Sequence, residues 1–428
     1  MSINDSILSM LNIKDPNITI SDPDNFYTVK VINNVQTKVF SATLSIPIVH
    51  HCPVCGSINE NNSIVKWGFK SSLITIPSVC RFATKLNLKK QRYLCRSCGK
   101  TFTAPTPIVK KNCFISNDTR TSIILDLKDK NSEKDIAAKN CVSHMTVNRT
   151  IASLRDSFIV PKNWLPKHLC FDEFRSVKDK ENSMSFICVN SENGNVINTF
   201  QGIRQDKIIH YFMSYKKRAR NAVKTVCMDM HFPYYKVVRQ CFPNAVIITD
   251  RFHIVKLISK ALNQSRIDYA KKDEDNAKKL KHYWKLIIKD SNELDDSQFR
   301  YFKCFRKMMR ETDVVDHLVS LDESLKNTYE LYQDLLHALK KKDPDNFYST
   351  IERAPELIHD QMKTSLKTLL KNRDGVTNSM KYSYSNGVIE GTNNLIKVIK
   401  RIAFGYRSFV HFRVRILLIT NTMVKLNT

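Results

Sequence analysis

Acidic side chains accompany several predicted β-strands in the middle of the chain. Asp172 lies in "HLCFDEF", Asp229 follows "KTVCM" and Asp250 follows "AVIIT". The strands that bear Asp172 and Asp229 are expected to be neighbours, so these two carboxylates can converge on one edge of the sheet. A helix that crosses this edge could supply the third carboxylate that a pair of Mg²⁺ ions acting on a phosphodiester needs. The chain has 41 acidic residues, so three at strand ends are also compatible with solvated loop carboxylates. Spacing alone leaves both interpretations open.

A further carboxylate stands in "YSNGVIEGTNN", directly before the apolar run "LIKVIKRIAF". The pattern predicts a helix that starts at the Ser-Asn pair of this segment. Glu390, Asn394, Lys397 and Arg401 are spaced by four, three and four residues, so they share one stripe of that helix. The stripe starts acidic and turns basic, which favours a metal ligand at Glu390 followed by side chains that meet DNA. The alternative is a simple first-turn acid that complements the helix dipole.

Cysteines form two CxxC pairs, in "HCPVCGS" and "RYLCRSCGKTF". Thiolates at positions i and i+3 can occupy two corners of a tetrahedron, a second pair closes it, and the Gly after each pair permits the tight turn. The pattern predicts a structural Zn²⁺ site with no open coordination position, and its ligands are Cys52, Cys55, Cys95 and Cys98. The basic segment between the pairs is expected to form a hairpin or excursion. Cys80 and Cys113 lie outside the pattern and are expected to be buried.

The charge of the chain indicates a polyanionic partner. The 428 residues carry 68 Lys and Arg against 41 Asp and Glu, a formal net charge of +27. Such an excess suits nucleic acid, although a lysine-biased proteome would produce it as well. No apolar stretch is long enough to span a bilayer, and the N-terminus lacks the pattern of a signal peptide. We therefore expect a cytoplasmic, nucleoid-associated protein. The lack of a Gly-rich phosphate loop argues against an NTPase.

The N-terminal part is expected to hold two small DNA-binding regions. Residues 1–115 read as a β-rich region that contains the four-cysteine zinc ribbon. Residues 116–160 turn helical, with Ser132 and Ser143 as predicted N-caps of two short helices. The apolar spacing across the turn is that of a helix-turn-helix. The side chains expected to face a major groove are His144, Thr146, Asn148 and Arg149.

The remainder is predicted to be one catalytic core interrupted by an insertion. Residues 161–255 read as β-β-β-α-β-α-β, a mixed sheet of the ribonuclease-H type, in which the first and fourth strands are neighbours. Residues 256–378 read as an all-helical insertion of about three to five helices. Residues 379–428 would complete the core with the third acid and the C-terminal helices. The fold class predicted is therefore multidomain α+β.

The ensemble resembles bacterial insertion-sequence transposases of the DDE class, specifically the ISL-three family. The resemblance is carried by "CPVC…CRSCGKTF", "FDEF", "MDMHFPYYKVVRQCFPNAVIITDRFHIVKL" and "SNGVIEGTNNLIKVIKRIAFGYRSFVHFRVRIL". It implies a catalytic triad of Asp172, Asp229 and Glu390 that binds Mg²⁺ or Mn²⁺, with Asp250 and His253 as auxiliary residues. Asp229 and Asp250 compete for the role of second acid, and the strand count favours Asp229.

The resemblance also implies an activity and its partners. Metal-dependent hydrolysis would cut one strand of double-stranded DNA at the element's terminal inverted repeats, and the 3′-hydroxyl so formed would attack target DNA at the same site. Because two ends must be held together, a homodimer or larger synaptic complex is implied. Two alternatives stay open: a DNA-binding regulator with an inert ribonuclease-H-like domain, and a structure-selective DNA nuclease.

Overall fold

The computed structural model describes residues 3–158, 161–177, 183–230 and 232–420. The strands are β1 (Ile18–Ile20), β2 (Tyr27–Ile32), β3 (Val35–Leu44), β4 (Ile64–Val79), β5 (Phe82–Cys95), β6 (Thr101–Thr103), β7 (His168–Arg175), β8 (Met184–Asn190), β9 (Val196–Gln201), β10 (Thr225–Met228), β11 (Val246–Thr249), β12 (Arg300–Phe302) and β13 (Lys307–Met309).

The helices, in chain order, are α1 (Ile3–Met10), α2 (Asn117–Asp126), α3 (Glu133–Lys139), α4 (His144–Ser153), α5 (Gln205–Met213), α6 (Lys217–Asn221), α7 (Phe232–Cys241), α8 (Arg251–Ala270), α9 (Glu274–His282), α10 (Trp284–Ile288), α11 (Glu311–Val319), α12 (Glu323–Lys341), α13 (Pro344–Glu352), α14 (Asp360–Lys371), α15 (Arg373–Lys381), α16 (Gly387–Ile402) and α17 (Phe409–Ile419). In the part of the chain that the structure describes, no helix is both long and apolar enough to cross a bilayer. Contacts divide the chain into two compact units, Met1–Ile159 with Ile396–Thr428, and Val160–Leu395.

A six-stranded sheet forms the first part of the first unit. Its order is β1-β3-β5-β4, with β2 also paired to β3 and β6 to β5. Asn33 and Asn34 make the β2–β3 turn, with φ of 49° and 62°. The basic segment between the two CxxC pairs forms the long antiparallel β4–β5 hairpin, as expected.

Cys80 lies at the tip of that hairpin. Cys80 and Arg81 have φ of 52° and 65° and are the two central residues of the turn, which leaves the thiol exposed. Two successive left-handed residues are the signature of the type I′ turn that matches the twist of a hairpin. The prediction that Cys80 is buried is therefore wrong, because this residue serves the turn and not the core. Cys113 is only partly buried.

Helices α2, α3, α4 and α17 form the second part of the first unit. The predicted caps are confirmed, because the Ser132 and Ser143 hydroxyls accept hydrogen bonds from the backbone N–H groups of Asp135 and Thr146. The C-terminal helix α17 packs on α4. Its Arg415 side chain, 2% exposed, donates to the carbonyl oxygens of Leu127 (2.6 Å) and Asn131 (2.7 Å). The boundary between the two compact units therefore lies at residues 395 and 396 and not at the predicted residue 379, because the end of the chain packs with α2 to α4.

A five-stranded mixed sheet organises the second unit. Its order is β11-β10-β7-β8-β9, with β7, β10 and β11 parallel and β7, β8 and β9 antiparallel. The element order is the one predicted, and the first and fourth strands of the sheet are neighbours, as expected. Helices α5 and α7 cover one face, where Phe171, Met228 and Val237 are fully buried.

The segment between β11 and α16 is larger and less uniform than predicted. It contains α8 to α15, with α8 packed against α12 and α14, and a two-stranded sheet of β12 and β13. The prediction of an all-helical insertion of three to five helices is therefore wrong. The two strands have three residues each, too few to show a period of two in the sequence.

Helix α15 closes the edge of the five-stranded sheet. It packs on β11, where the Asn378 side-chain amide donates to the Ile247 carbonyl at 2.9 Å. Gly375 permits the close approach: a Cβ there would lie 2.4 Å from Thr249 Oγ1 and 2.8 Å from Tyr235 Oη. The edge strand that precedes Asp250 is thereby fixed against a helix.

Candidate active site

Three aspartates lie level with one another across the parallel strands of the five-stranded sheet. Cys227 pairs with Cys170, and Met228 pairs with Thr249. Continuing this register places Asp172, Asp229 and Asp250 side by side. Level residues of parallel strands point to the same face, so the three carboxylates share the face opposite Phe171 and Met228. Asp172 lies within β7 and not at its end, because β7 stays paired with β8 beyond the end of β10.

Asp172 and Asp229 are the accessible members of this row, and both are only partly buried. Asp172 Oδ1 accepts from the Glu173 backbone N–H at 2.8 Å, and its Oδ2 accepts from Asn393 Nδ2 at 2.8 Å. Burial raises the pKa of Asp172 to about 6, the neighbouring charge of Asp229 adds to this rise, and His253 partly offsets it. Carboxylates in this position favour a nearby cation.

Asp250 is buried and engaged in structural hydrogen bonds. It is 2% exposed, its Oδ2 lies 3.2 Å from His253 Nδ1, and its Oδ1 accepts from the Asn386 backbone N–H at 3.2 Å. The hydrogen bond to Asp250 raises the pKa of His253. Asn386 also donates from Nδ2 to the Phe171 carbonyl at 3.4 Å. Asp250 therefore connects β11, the first turn of α8 and the start of α16.

Glu390 is exposed on the first turn of α16, three residues before Asn393. The predicted helix start is confirmed to within two residues, and Asn394, Lys397 and Arg401 are all exposed. Among the described residues, the group of His, Cys, Asp or Glu ligand atoms that gather within 4.8 Å consists of four cysteines. Glu390 therefore does not form so tight a cluster with the aspartates.

Two asparagines of this site were not predicted from the sequence. Asn386 holds the start of α16 to Asp250 and Phe171, and Asn393 holds its second turn to Asp172. Their spacing of seven places them on one helix face, and that repeat was the available signal. Glu173, by contrast, accepts from the Tyr234 hydroxyl of α7 at 2.7 Å. It thus points away from the aspartate row, as alternation along the strand requires.

The three aspartates of the row, together with the two asparagines beside them, fit a hard divalent cation. Asn386 Oδ1 and Asn393 Oδ1 are buried and have no hydrogen-bond partner among the described residues, and Asn393 lies directly against Asp172. Carboxylate and amide oxygens are the ligands that Mg²⁺ prefers. A cation here would also relieve the repulsion between Asp172 and Asp229.

The four cysteines of the CxxC pairs converge as predicted. Cys52 Sγ lies 3.9 Å from Cys98 Sγ, and Cys55 Sγ lies 3.8 Å from Cys95 Sγ. A regular tetrahedron with Zn–S bonds of about 2.3 Å has sulfur separations of about 3.8 Å. Each pair is closed by a glycine in the left-handed region, at positions 56 (φ 77°) and 99 (φ 69°). The site therefore fits a four-thiolate zinc ion.

The side chains predicted to read DNA from α4 differ in their surroundings. Arg149 is exposed. His144 Nε2 and Asn148 Nδ2 lie 3.3 Å and 2.8 Å from Glu133 Oε2 on α3. The Thr146 hydroxyl lies 3.0 Å from the Ser143 hydroxyl. The contacts with Glu133 hold α3 against α4, and the Thr146–Ser143 contact lies within the cap of α4, so all three polar residues have structural partners within the unit.

Comparison with known proteins identifies the family. An "ATP-dependent protease" of Lactococcus lactis subsp. lactis is 39% identical over 118 residues, 28% of this chain and 38% of that protein. The transposase for insertion sequence element IS1001 of Bordetella parapertussis is 24% identical over 276 residues, 62% of this chain and 64% of that protein. The chain thus spans less than two thirds of either relative. A zinc-finger model of transposases IS204/IS1001/IS1096/IS1165 matches residues 48–98, and the ISL3-type DDE model described as "Transposase" matches residues 169–416. As that match covers more than half of the chain, the protein belongs to the ISL3 family of transposases.

Proposed function

We propose that this transposase binds the terminal inverted repeats of an insertion sequence and catalyses metal-dependent DNA cleavage and strand transfer. The observation that carries the proposal is the pair of accessible carboxylates, Asp172 and Asp229, level on adjacent parallel strands beneath α16. Double-stranded DNA is the substrate, consistent with the family and with the net charge of +27. The need to hold two ends supports a homodimer or larger assembly.

The catalytic residues in this proposal are Asp172, Asp229 and Glu390. These three would hold Mg²⁺ or Mn²⁺, which supplies charge stabilisation at the phosphorus in phosphoryl transfer. Asn393 fixes the orientation of the Asp172 carboxylate through its 2.8 Å hydrogen bond. Asp250 and His253 act as positioning residues. Asp250 accepts a hydrogen bond from the backbone N–H of Asn386, the residue directly before α16, and so fixes the turn that bears Glu390; His253 contacts the other oxygen of Asp250.

DNA recognition in this proposal is divided among three surfaces. The zinc ribbon and α4 would contact the element's ends, with Arg149 as the exposed cation of α4. His144, Thr146 and Asn148 would exchange their contacts with Glu133 and Ser143 for DNA. The exposed residues of α16 that follow Glu390, which are Asn394, Lys397 and Arg401, would contact DNA phosphates.

The identity of the second acid is tested with Asp229→Asn and Asp250→Asn. Loss of a metal ligand removes several kcal/mol of transition-state stabilisation, so Asp229→Asn should lower strand transfer by at least about 1,000-fold. Loss of a positioning residue should lower it by about 10- to 100-fold. The substrate is a duplex that carries the DNA flanking the gene, and end binding is measured in parallel. Strand transfer that survives Asp229→Asn but not Asp250→Asn would reverse the assignment.

The third acid is tested with Glu390→Gln. The matched control is Glu274→Gln, because Glu274 is also an exposed glutamate in the first turn of a helix, α9. If Glu390 only complements a helix dipole, the two variants should behave alike. Loss of strand transfer in Glu390→Gln alone supports a metal ligand, and retained strand transfer excludes it.

The same assays separate the rival functions. A DNA-binding regulator would bind the flanking repeats but show no Mg²⁺-dependent nicking of them. A structure-selective nuclease would cut branched DNA irrespective of sequence and would not join a 3′-hydroxyl to a second duplex. Sequence-dependent nicking at the repeats together with joining is the outcome expected here.

A further inference from the structure

A groove of about 1050 Å³ lies on the second unit beside the edge strand β11, on the α7 side of the sheet. Its floor is formed by the strand and the residues before it, 245–247, and its walls are α7 and the α14–α15 junction. It belongs to the face opposite the carboxylate row. Thr249 contacts Tyr235 of α7 (Oγ1 to Oη, 3.3 Å), and the next residue, Asp250, points to the other face.

Cations converge on this groove from both walls. Its lining holds five exposed basic residues and one exposed acid, and they are Lys236, Arg239, Lys371, Arg373, Lys381 and Asp374. Within the described part of the chain, no carboxylate lies in ion-pair distance of Lys236, Arg239 or Lys381. These three cations therefore keep their positive charge without an ion-pair partner among the described residues.

The cations of each wall lie in rows. On α7, Lys236, Arg239 and Gln240 are spaced by three and one, which places them on one side of the helix. On α15, Arg373, Thr377 and Lys381 are spaced by four and four and form a second stripe. Both walls thus present charged and hydrogen-bonding side chains towards the same space.

One of these cations is held in place. The Arg373 guanidinium carbon lies 4.2 Å from the centre of the Tyr348 ring. Tyr348 is 3% exposed, and its hydroxyl donates to the Arg373 carbonyl at 3.0 Å. The stacked guanidinium keeps its N–H donors while its position is fixed, a geometry suited to phosphate.

The length of the α15 stripe, from Arg373 to Lys381, favours a polymeric anion over a small one. From Arg373 to Lys381 the helix rises by about 12 Å. A DNA strand carries one phosphate for about 3.4 Å of duplex axis, so this row spans about three phosphates. A single phosphate would engage only one end of it.

We infer that this groove, formed by α7, β11 and α15, binds the sugar–phosphate backbone of a second DNA segment on the side of the sheet opposite the carboxylates. The inference rests on the proposed function in that a strand-transfer enzyme handles more than one DNA segment. Backbone contacts by lysine and arginine confer no base preference, so the groove positions DNA without reading its sequence.

The test compares two triple variants of the full chain that remove the same charge. Lys236→Gln/Arg239→Gln/Lys381→Gln neutralises the groove. Lys271→Gln/Lys326→Gln/Lys363→Gln is the control, because those exposed lysines lie 3.0, 4.0 and 3.6 Å from carboxylates of their own helical region. Affinity for a duplex without element ends is measured in EDTA from 50 to 200 mM salt, so that no catalysis is needed.

The logarithm of affinity falls as the logarithm of salt concentration rises, and each lost phosphate contact makes this slope shallower by about 0.9. The slope should therefore be shallower by about 2 to 3 in the groove variant and by less than one in the control variant. Equal losses in both variants, or an unchanged slope in the groove variant, would overturn the inference. Unchanged thermal unfolding of both variants ensures that the comparison concerns charge.

A second measurement locates the DNA directly. A photo-crosslinking amino acid in place of Gln240, which lines the groove, should crosslink to duplex DNA. The same amino acid in place of Glu330 on α12, outside the groove, should not. Absence of crosslinks from position 240 would also overturn the inference. Neither assay depends on cleavage, so a parent protein that shows no Mg²⁺-dependent nicking at the repeats would refute the proposed function and leave the result for the groove intact.

Discussion

Gly375→Ala provides a stringent test of how closely α15 approaches the edge strand. An alanine Cβ at this position would lie 2.4 Å from Thr249 Oγ1 and 2.8 Å from Tyr235 Oη. Thr249 is fully buried in β11 and cannot rotate away into solvent. The strand or the helix must therefore shift to admit one methyl group.

The expected cost follows from two opposing effects. Alanine favours a helix over glycine by about 1 kcal/mol. Overpacking by a methylene-sized group typically costs about 1 to 3 kcal/mol, and two close contacts against a buried strand favour the upper end of this range. The net expectation is that Gly375→Ala lowers the free energy of unfolding by about 1 to 2 kcal/mol.

The matched control is Gly391→Ala in α16. A Cβ at position 391 meets no atom within 4 Å, so only the helix preference acts, and the variant should gain about 0.5 to 1 kcal/mol. Urea unfolding gives the free energies, and hydrogen exchange of peptides from β11 and α15 locates the change. Adding Thr249→Ala to Gly375→Ala removes the nearest atom and should recover about 1 kcal/mol relative to additivity. If Gly375→Ala is as stable as the parent protein, the tight approach of α15 to β11 is refuted.

Three further predictions address the zinc site, the carboxylate row and the helical part of the first unit. Cys52→Ser should abolish the binding of one zinc equivalent in a chelator-release assay, whereas Cys80→Ser, at the exposed hairpin tip, should leave it unchanged. Asn393→Ala should weaken Mg²⁺-dependent strand transfer by about 10- to 100-fold while end binding persists, because Asp172 loses the donor that orients it; equal activity would remove Asn393 from the site. Arg415→Met should destabilise the protein by about 2 to 4 kcal/mol, because the backbone carbonyls of Leu127 and Asn131 lose their charged donor; rapid proteolysis within α2 to α4 would report it, and unchanged resistance would contradict it.

Features that depend on local chemistry could be predicted from the sequence. The Ser132 and Ser143 caps need only a hydroxyl followed by a helix, and the zinc site needs only its cysteine spacing and glycine turns. The adjacency of the strands that bear Asp172 and Asp229 followed instead from the type of sheet that the element order predicted. The caps and the four-cysteine cluster are confirmed because short sequence patterns determine them.

Features that depend on tertiary packing could not be predicted in this way. The β4–β5 turn uses Cys80 and Arg81 in a conformation that usually selects Asn and Gly, so the composition of the turn carried no signal. Asn386 and Asn393 gain their roles through bonds to residues more than 200 positions earlier in the chain. The packing of α17 on α4 likewise depends on a surface that sequence periodicity does not specify.

The late position of Asn386 and Arg415 in the chain has a consequence for biosynthesis. The carboxylate row gains its contacts with α16 only after residues 386–393 have been made, since Asn386 bonds to Phe171 and Asn393 to Asp172. The helices of the first unit likewise await Arg415, which bonds to Leu127. Both units are thus completed by the same C-terminal stretch. A frameshift that truncates the product before residue 386 yields a polypeptide in which neither unit has its final contacts.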